Sequence, residues 1–291
     1  MSPSDVLPQS DLVFSSPDHR LCVCADDFAA SESVSQAIAE LLALGRIHAT
    51  SVMACSPRWP SDAQVLRPHA AQASVGLHLD WTSPFAVAAG HGMSLPVLMA
   101  RCALRALSHR QAREVIERQL DAFESVWENP PSHVDGHQHI HQFAVIRDAL
   151  FEVLDRRYGI EATPQPGAWP WLRNAQVALP DGARMAERFK ASVIDAWGAK
   201  PFVQRVQQAG QSLKGPLLGV YDFNPAPGVF EAHMAQWLHH FDGLTSAVLM
   251  VHPALRAEGD DPIGQARVRE WAFLSGPQWP QLAARHGVDC G

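Results

Sequence analysis

Short apolar runs alternate with longer amphipathic stretches along most of this chain. Leu21 to Ala25 is apolar, too brief for a helix, and stops at Asp26-Asp27: a buried strand ending in two acids. Ser31 to Leu44 follows, with Val34, Ile38, Leu41 and Leu42 at helical spacing, Ser31 as a cap and Gly45 as a stop. Thr50 to Ala54 and Ser74 to Leu79 read as the next two strands. From Asp80 to Arg110 the pattern breaks down. Pro84, Gly90, Gly92 and Pro96 scatter among apolar residues and predict a long excursion over one face. Gln111 to Trp127 is an amphipathic helix with Val115, Ile116, Leu120, Phe123 and Val126 on its apolar side, ended by Pro130-Pro131. Ala144 to Tyr158 is again helical, Gly159 to Thr163 reads as a short strand, and Pro164 to Leu179 is irregular. A helix over roughly Arg184 to Trp197 comes next. Pro216 to Tyr221, Phe230 to Phe241, Thr245 to Val251 and Ile263 to Leu274 complete a strand–helix–strand–helix tail.

Repeated strand-then-helix order implies a parallel α/β sheet. Six or seven such units favour closure into a TIM-barrel-like, distorted β/α barrel over an open sheet. No internal repeat or linker divides the chain, so residues 19–291 read as a single domain with long loops over the catalytic face. Residues 1–18, polar and rich in Pro and Ser, read as a disordered leader that lacks the order of a secretion signal.

In such folds the reacting groups gather at the carboxyl ends of strands. Asp26 and Asp27 follow the first strand, His78 ends the third, and His252 follows the last. Between them lies the densest signal in the chain, His133-Val134-Asp135-Gly136-His137-Gln138-His139-Ile140-His141. Four imidazoles and a carboxylate occupy odd-numbered positions, which an extended segment would aim to one side. Neutral imidazole and carboxylate together suit zinc and similar divalent ions. Asp27, His78 and His137 would form a one-carboxylate, two-histidine site with positions left for water and substrate. Asp135 is spaced to orient a ligating imidazole, and His133, His139 and His141 stand as support around it. Asp26 is left as a candidate base, and His252, titrating near neutrality, as an acid for a leaving amine. Trp81, directly after the His78 strand, is the first choice for an aromatic platform beside the site. Trp169 and Trp171 could serve the same end, or pack loops or a homodimer interface.

Charge and composition narrow the field. A net charge of −7 with no basic cluster argues against a nucleic-acid partner. No apolar run approaches 18 residues, so no membrane span is expected. The five cysteines have no zinc-finger spacing and read as reduced, mostly buried thiols of a cytoplasmic protein. There is no Gly-x-Ser-x-Gly elbow, phosphate-binding Gly-x-x-x-x-Gly-Lys loop or His-Glu-x-x-His helix.

Ala25-Asp26-Asp27-Phe28, Val75-Gly76-Leu77-His78-Leu79, the His133–His141 motif and His252-Pro253 resemble, in order, the motifs of the YdjC family of carbohydrate deacetylases. That family includes chitooligosaccharide deacetylases and the hopanoid-associated proteins called HpnK. The resemblance runs from about Leu21 to about Leu274. It implies a TIM-barrel-like fold and one divalent metal ion, magnesium or zinc. The implied ligands are Asp27, His78 and His137, the implied base Asp26 and the implied acid His252. The implied reaction hydrolyses the N-acetyl group of an amino sugar, glycan or glycolipid and releases acetate. Two positions depart from the family pattern: Ala29 and Ala254 stand where glycine is common, after Asp-Asp-Phe and after His-Pro. Two other readings keep the barrel: a metal-dependent hydrolase of another amide or a phosphoester, and a sugar-binding barrel without turnover.

Overall fold

A computed structural model describes residues 20–159 and 169–290. The leader expected over residues 1–18 lies outside them, as does the strand expected over 159–163 beyond Gly159. Eight parallel strands form one curled sheet: β1 (Leu21–Phe28), β2 (Ala49–Val52), β3 (Ser74–Leu79), β4 (His133–Gly136), β5 (Trp171–Arg173), β6 (Leu213–Lys214), β7 (Leu217–Leu218) and β8 (Ala247–Val251). Their order is β6-β5-β4-β3-β2-β1-β8-β7. The chain leaving β5 meets the far edge, where the Leu217 N–H donates to the Gln176 carbonyl at 2.8 Å and the Ala178 N–H to the Leu217 carbonyl at 2.9 Å. The α/β barrel is thus drawn together by an irregular pair rather than by full strands. Among the described residues no helix is long and apolar enough to cross a membrane.

Side chains of β1 alternate between two environments, as the two-residue period requires. Leu21, Val23 and Ala25 join the main core beneath the surrounding helices, whereas Cys22 and Cys24 join a second cluster with Ala49, Trp171, Val248 and Met250 inside the barrel. Burying each large apolar side chain of these layers contributes about 1.5–3 kcal/mol. The His109–Trp127 helix seals one flank by burying Val115, Ile116, Leu120, Phe123 and Trp127. All five cysteines are free, and Cys22, Cys24, Cys102 and Cys290 are buried.

The structure corrects the sequence reading in three stretches. The excursion from Asp80 to Arg110 contains two short helices, Pro84–Ala88 and Leu95–Ala103, each with proline in its first turn. The irregular stretch holds β5, whose three residues are too few to show a period. The helix expected over Arg184 to Trp197 spans Met185–Ile194, widens at Asp195–Ala199 and continues as Lys200–Gln208.

Ala29 occupies a left-handed backbone (φ 70°), whereas Ala254 is not among the positive-φ residues. Glycine is therefore conformationally favoured only at the first of the two departures. Neighbours hold Ala29 in place: its N–H donates to Ser35 Oγ at 3.1 Å and its carbonyl accepts from Ser56 Oγ at 2.6 Å. Ala29→Gly is accordingly expected to stabilise the protein by about 1 kcal/mol in thermal or urea unfolding. A destabilised variant would mean that the alanine methyl, which is fully buried, contributes more by packing than the backbone loses.

Candidate active site

Each central strand carries a polar residue inside the barrel near its carboxyl end: Asp26 on β1, Ser51 on β2, His78 on β3, Asp135 on β4 and Arg173 on β5. Ser51 Oγ donates to Asp26 Oδ1 at 3.2 Å, and His78 Nδ1–H donates to Asp135 Oδ1 at 2.6 Å. The Arg173 guanidinium holds both oxygens of Asp26 at 2.6 Å and reaches Asp135 Oδ2 at 2.5 Å. Arg173, Asp26 and Asp135 are almost completely buried, and of the three only Asp26 also borders the cavity described below.

In a regular strand Asp27 would face away from Asp26, toward the helices. The register of β1 against β2 slips between Ala25 and Phe28, and Asp27 itself has φ 67°. This bend brings both adjacent acids to one cavity with different partners. Arg267 Nη2 donates to Asp27 Oδ2 at 2.6 Å. Asp27 Oδ1 lies 3.4 Å from His78 Nε2 and 3.2 Å from His137 Nδ1. Burial would push the Asp27 carboxyl up, but Arg267 and the two imidazoles hold it well below the usual carboxylate range. Burial likewise opposes charge on His78, yet Asp135 raises it well above the ordinary imidazole value.

Asp27, His78 and His137 each offer one donor atom, all within 4.8 Å of one another. Asp27 Oδ1 is buried and has no well-directed hydrogen-bond donor. An orphaned carboxylate oxygen flanked by two imidazole nitrogens is what a divalent cation would satisfy. Asp135 accepts the Nδ1–H of His78, so a cation at Nε2 would have only the Nε2 proton to displace. The residues therefore fit a metal of the kind implied. Other His, Cys and acid groups come as close together, Cys24–His133–Asp135 and Asp26–His78–Asp135 among them. There the Arg173 guanidinium already supplies the positive charge, 3.0 Å from Cys24 Sγ and 2.6 Å from Asp26.

The odd-number spacing of the histidine motif applies only to its first part. His133 and Asp135 share a face of β4, but the chain then turns through Gln138 and His139, both left-handed at φ 55° and 59°. His133 lies inside the barrel, stacked on Trp171 at 4.2 Å, where a side chain on Gly76 would collide with its ring. His141 lies within hydrogen-bond reach of the Arg173 carbonyl at 3.1 Å, and His139 borders the cavity. Burial pushes His133 and His141 down to about 4, so both are packed as neutral rings.

The aromatic platform expected at Trp81 is corrected by burial: Trp81 is 1% exposed and packs against His91. Trp169 and Trp171 are also buried, against Phe151 and His133. His252 stands 4.0 Å from Asp26 Oδ2 through Nε2. Its expected titration near neutrality is corrected too, because burial lowers it to about 4. Its backbone N–H donates to Glu270, which also accepts from the Tyr221 hydroxyl at 2.6 Å, and burial raises that carboxyl to about 7.

Asp26, Asp27, His78, His137 and His252 open into a cavity of about 910 Å³, which Lys190 and Phe223 also border. Arg173, Arg267, Ser51 and Glu270 escaped the sequence reading. Strand-end position would have pointed to Arg173 had β5 been recognised. Arg267 and Glu270 lie on the Gly264–Ser275 helix, and nothing local marks them.

The sequence profile of the family described as YdjC-like protein matches residues 20–285. A mouse protein named carbohydrate deacetylase is 26% identical over 94% of this chain and 82% of its own length. A human protein of the same name is 28% identical over 54% of this chain and 53% of its own. The crystal structure of a "putative cellobiose-phosphate cleavage protein" from Enterococcus faecalis V583 superposes with a TM-score of 0.68 at 17% identity, over 93% of this chain and 96% of that one, and shares its fold. With the family profile spanning nearly its whole described length, this chain belongs to the YdjC-like protein family.

Proposed function

We propose that this chain is a metal-dependent carbohydrate N-deacetylase, a hydrolase that removes the N-acetyl group of an amino sugar, glycan or glycolipid as acetate. One observation carries this reading: Asp27, His78 and His137 converge beside an open cavity, with Asp26 and His252 at hand. The name shared by the mouse and human relatives supports the substrate class. Two imidazoles and a carboxylate favour zinc or a similar first-row ion over magnesium, which prefers oxygen ligands.

A cation held by Asp27, His78 and His137 would supply Lewis-acid polarisation of the amide carbonyl and of a water molecule. The chain's own residues then govern the protons. Asp26, steadied by Arg173 and Ser51, takes the proton that water loses on attack. His252 is neutral before reaction, so it has to receive the proton it gives the leaving amine. Asp26, 4.0 Å away, is the neighbour that can pass it on. Amide and water become acetate and a free amino sugar, and both side chains return to their starting states.

The test is an acetate assay with metal-loaded protein on a panel of N-acetylated sugars, run beside phosphate esters. Acetate release from at least one sugar is expected. Turnover of phosphate esters alone would replace this reading with a phosphoesterase.

A further inference from the structure

We propose that Phe223 is the substrate-positioning residue of this cavity, presenting its ring to the apolar face of the pyranose that carries the acetamido group. The inference deepens the deacetylase reading and rests on it. Phe223 lies beyond the end of β7 at Leu218 and lines the same cavity as Asp26, His137 and His252.

Its backbone is left-handed (φ 56°), a conformation that residues with a Cβ avoid. Of the seven non-glycine residues with positive φ among those described, Asp27, Gln138, His139 and Phe223 all border this cavity. Strain of that kind persists only where surrounding contacts impose it. Here they do. The Lys190 ammonium sits 4.4 Å from the ring centroid and is itself tied to the Tyr221 carbonyl at 2.9 Å. The Tyr221 ring lies 4.7 Å from Phe223, and the His252 ring meets it edge-on at 5.3 Å.

Phe85 and Phe189 line the cavity as well, but among the described residues only Phe223 has a ring contact with His252. A pyranose packed on it would lie beside the imidazole assigned to the leaving amine. The tryptophans that sequence suggests for this task are buried elsewhere. An aromatic ring offers a broad apolar face at low conformational cost, which suits the C–H face of a sugar.

The probe is the N-acetylglucosamine disaccharide, followed by acetate release and, separately, by calorimetric binding. Phe223→Leu should raise KM and weaken binding about tenfold, the size of one aromatic contact, while kcat falls less than about threefold. Phe223→Tyr should restore both. An unchanged KM and affinity in Phe223→Leu would overturn the assignment, as would a fall confined to kcat that tyrosine fails to rescue. If the wild type binds the disaccharide through Phe223 but releases acetate from neither it nor any sugar of the panel, the positioning role stands and the deacetylase reading falls. If the wild type neither binds nor hydrolyses the disaccharide, the role of Phe223 falls, while acetate release from another sugar of the panel keeps the deacetylase reading.

Discussion

His137→Ala is expected to lose bound divalent metal and acetate release together. His137 Nδ1 lies 3.2 Å from Asp27 Oδ1, on the same side as His78 Nε2, and no other described imidazole is grouped with that pair. Removing it leaves two donors, too few to hold an ion against water at ordinary concentrations. Polarisation of the carbonyl by a metal contributes several kcal/mol to the transition state, so the rate should fall about a thousandfold or more. Stability should change little, because the His137 side chain is 26% exposed. Metal content by elemental analysis, acetate release and a thermal melt separate these effects. Stripping the wild type with a chelator should reproduce the loss, and adding zinc should reverse it. Undiminished acetate release by the alanine variant would refute the assignment of the ligands.

Arg173→Met should have the largest effect on the fold. The guanidinium is fully buried and bridges two buried carboxylates, Asp26 and Asp135, while also touching Cys24. Burial opposes its charge, and the two carboxylates nevertheless hold it well above the ordinary arginine value. Breaking a buried ion pair by removing one partner costs about 3–5 kcal/mol, because the remaining charge stays buried and uncompensated. Here two carboxylates would be left. The melting temperature should fall by roughly 10 °C for a domain of this size. Arg173→Lys should recover only part of that, since an ammonium cannot reproduce the planar fork that grips Asp26 at two points. A melt within about 2 °C of wild type for Arg173→Met would show that water or a rearrangement replaces the guanidinium.

The long elements were legible because burial imposes periodicity. The helix over residues 109–127 and the strands β1, β3 and β8 were each visible as a repeating apolar face or a short apolar run. β5, β6 and β7, two or three residues each, carry no period and owe their place to partners across the sheet. Tryptophan was misleading for a related reason. Its size favours burial wherever the fold offers room, and Trp81 and Trp171 found it in the core and the barrel interior.

By itself the sequence determined which groups stand at strand ends. Apolar runs must be buried, and the polar residues that stop them emerge on one face of a parallel sheet. Asp26, Asp27, His78, Asp135 and His252 could be named that way. Which of them share a cavity, and what neutralises them, was decided by tertiary structure alone. The turn at Asp27 sets both acids on one side, and Arg173 and Arg267 arrive from positions 146 and 240 residues farther along the chain than Asp27. Charge pairing inside a barrel acts across space, and no local pattern encodes it.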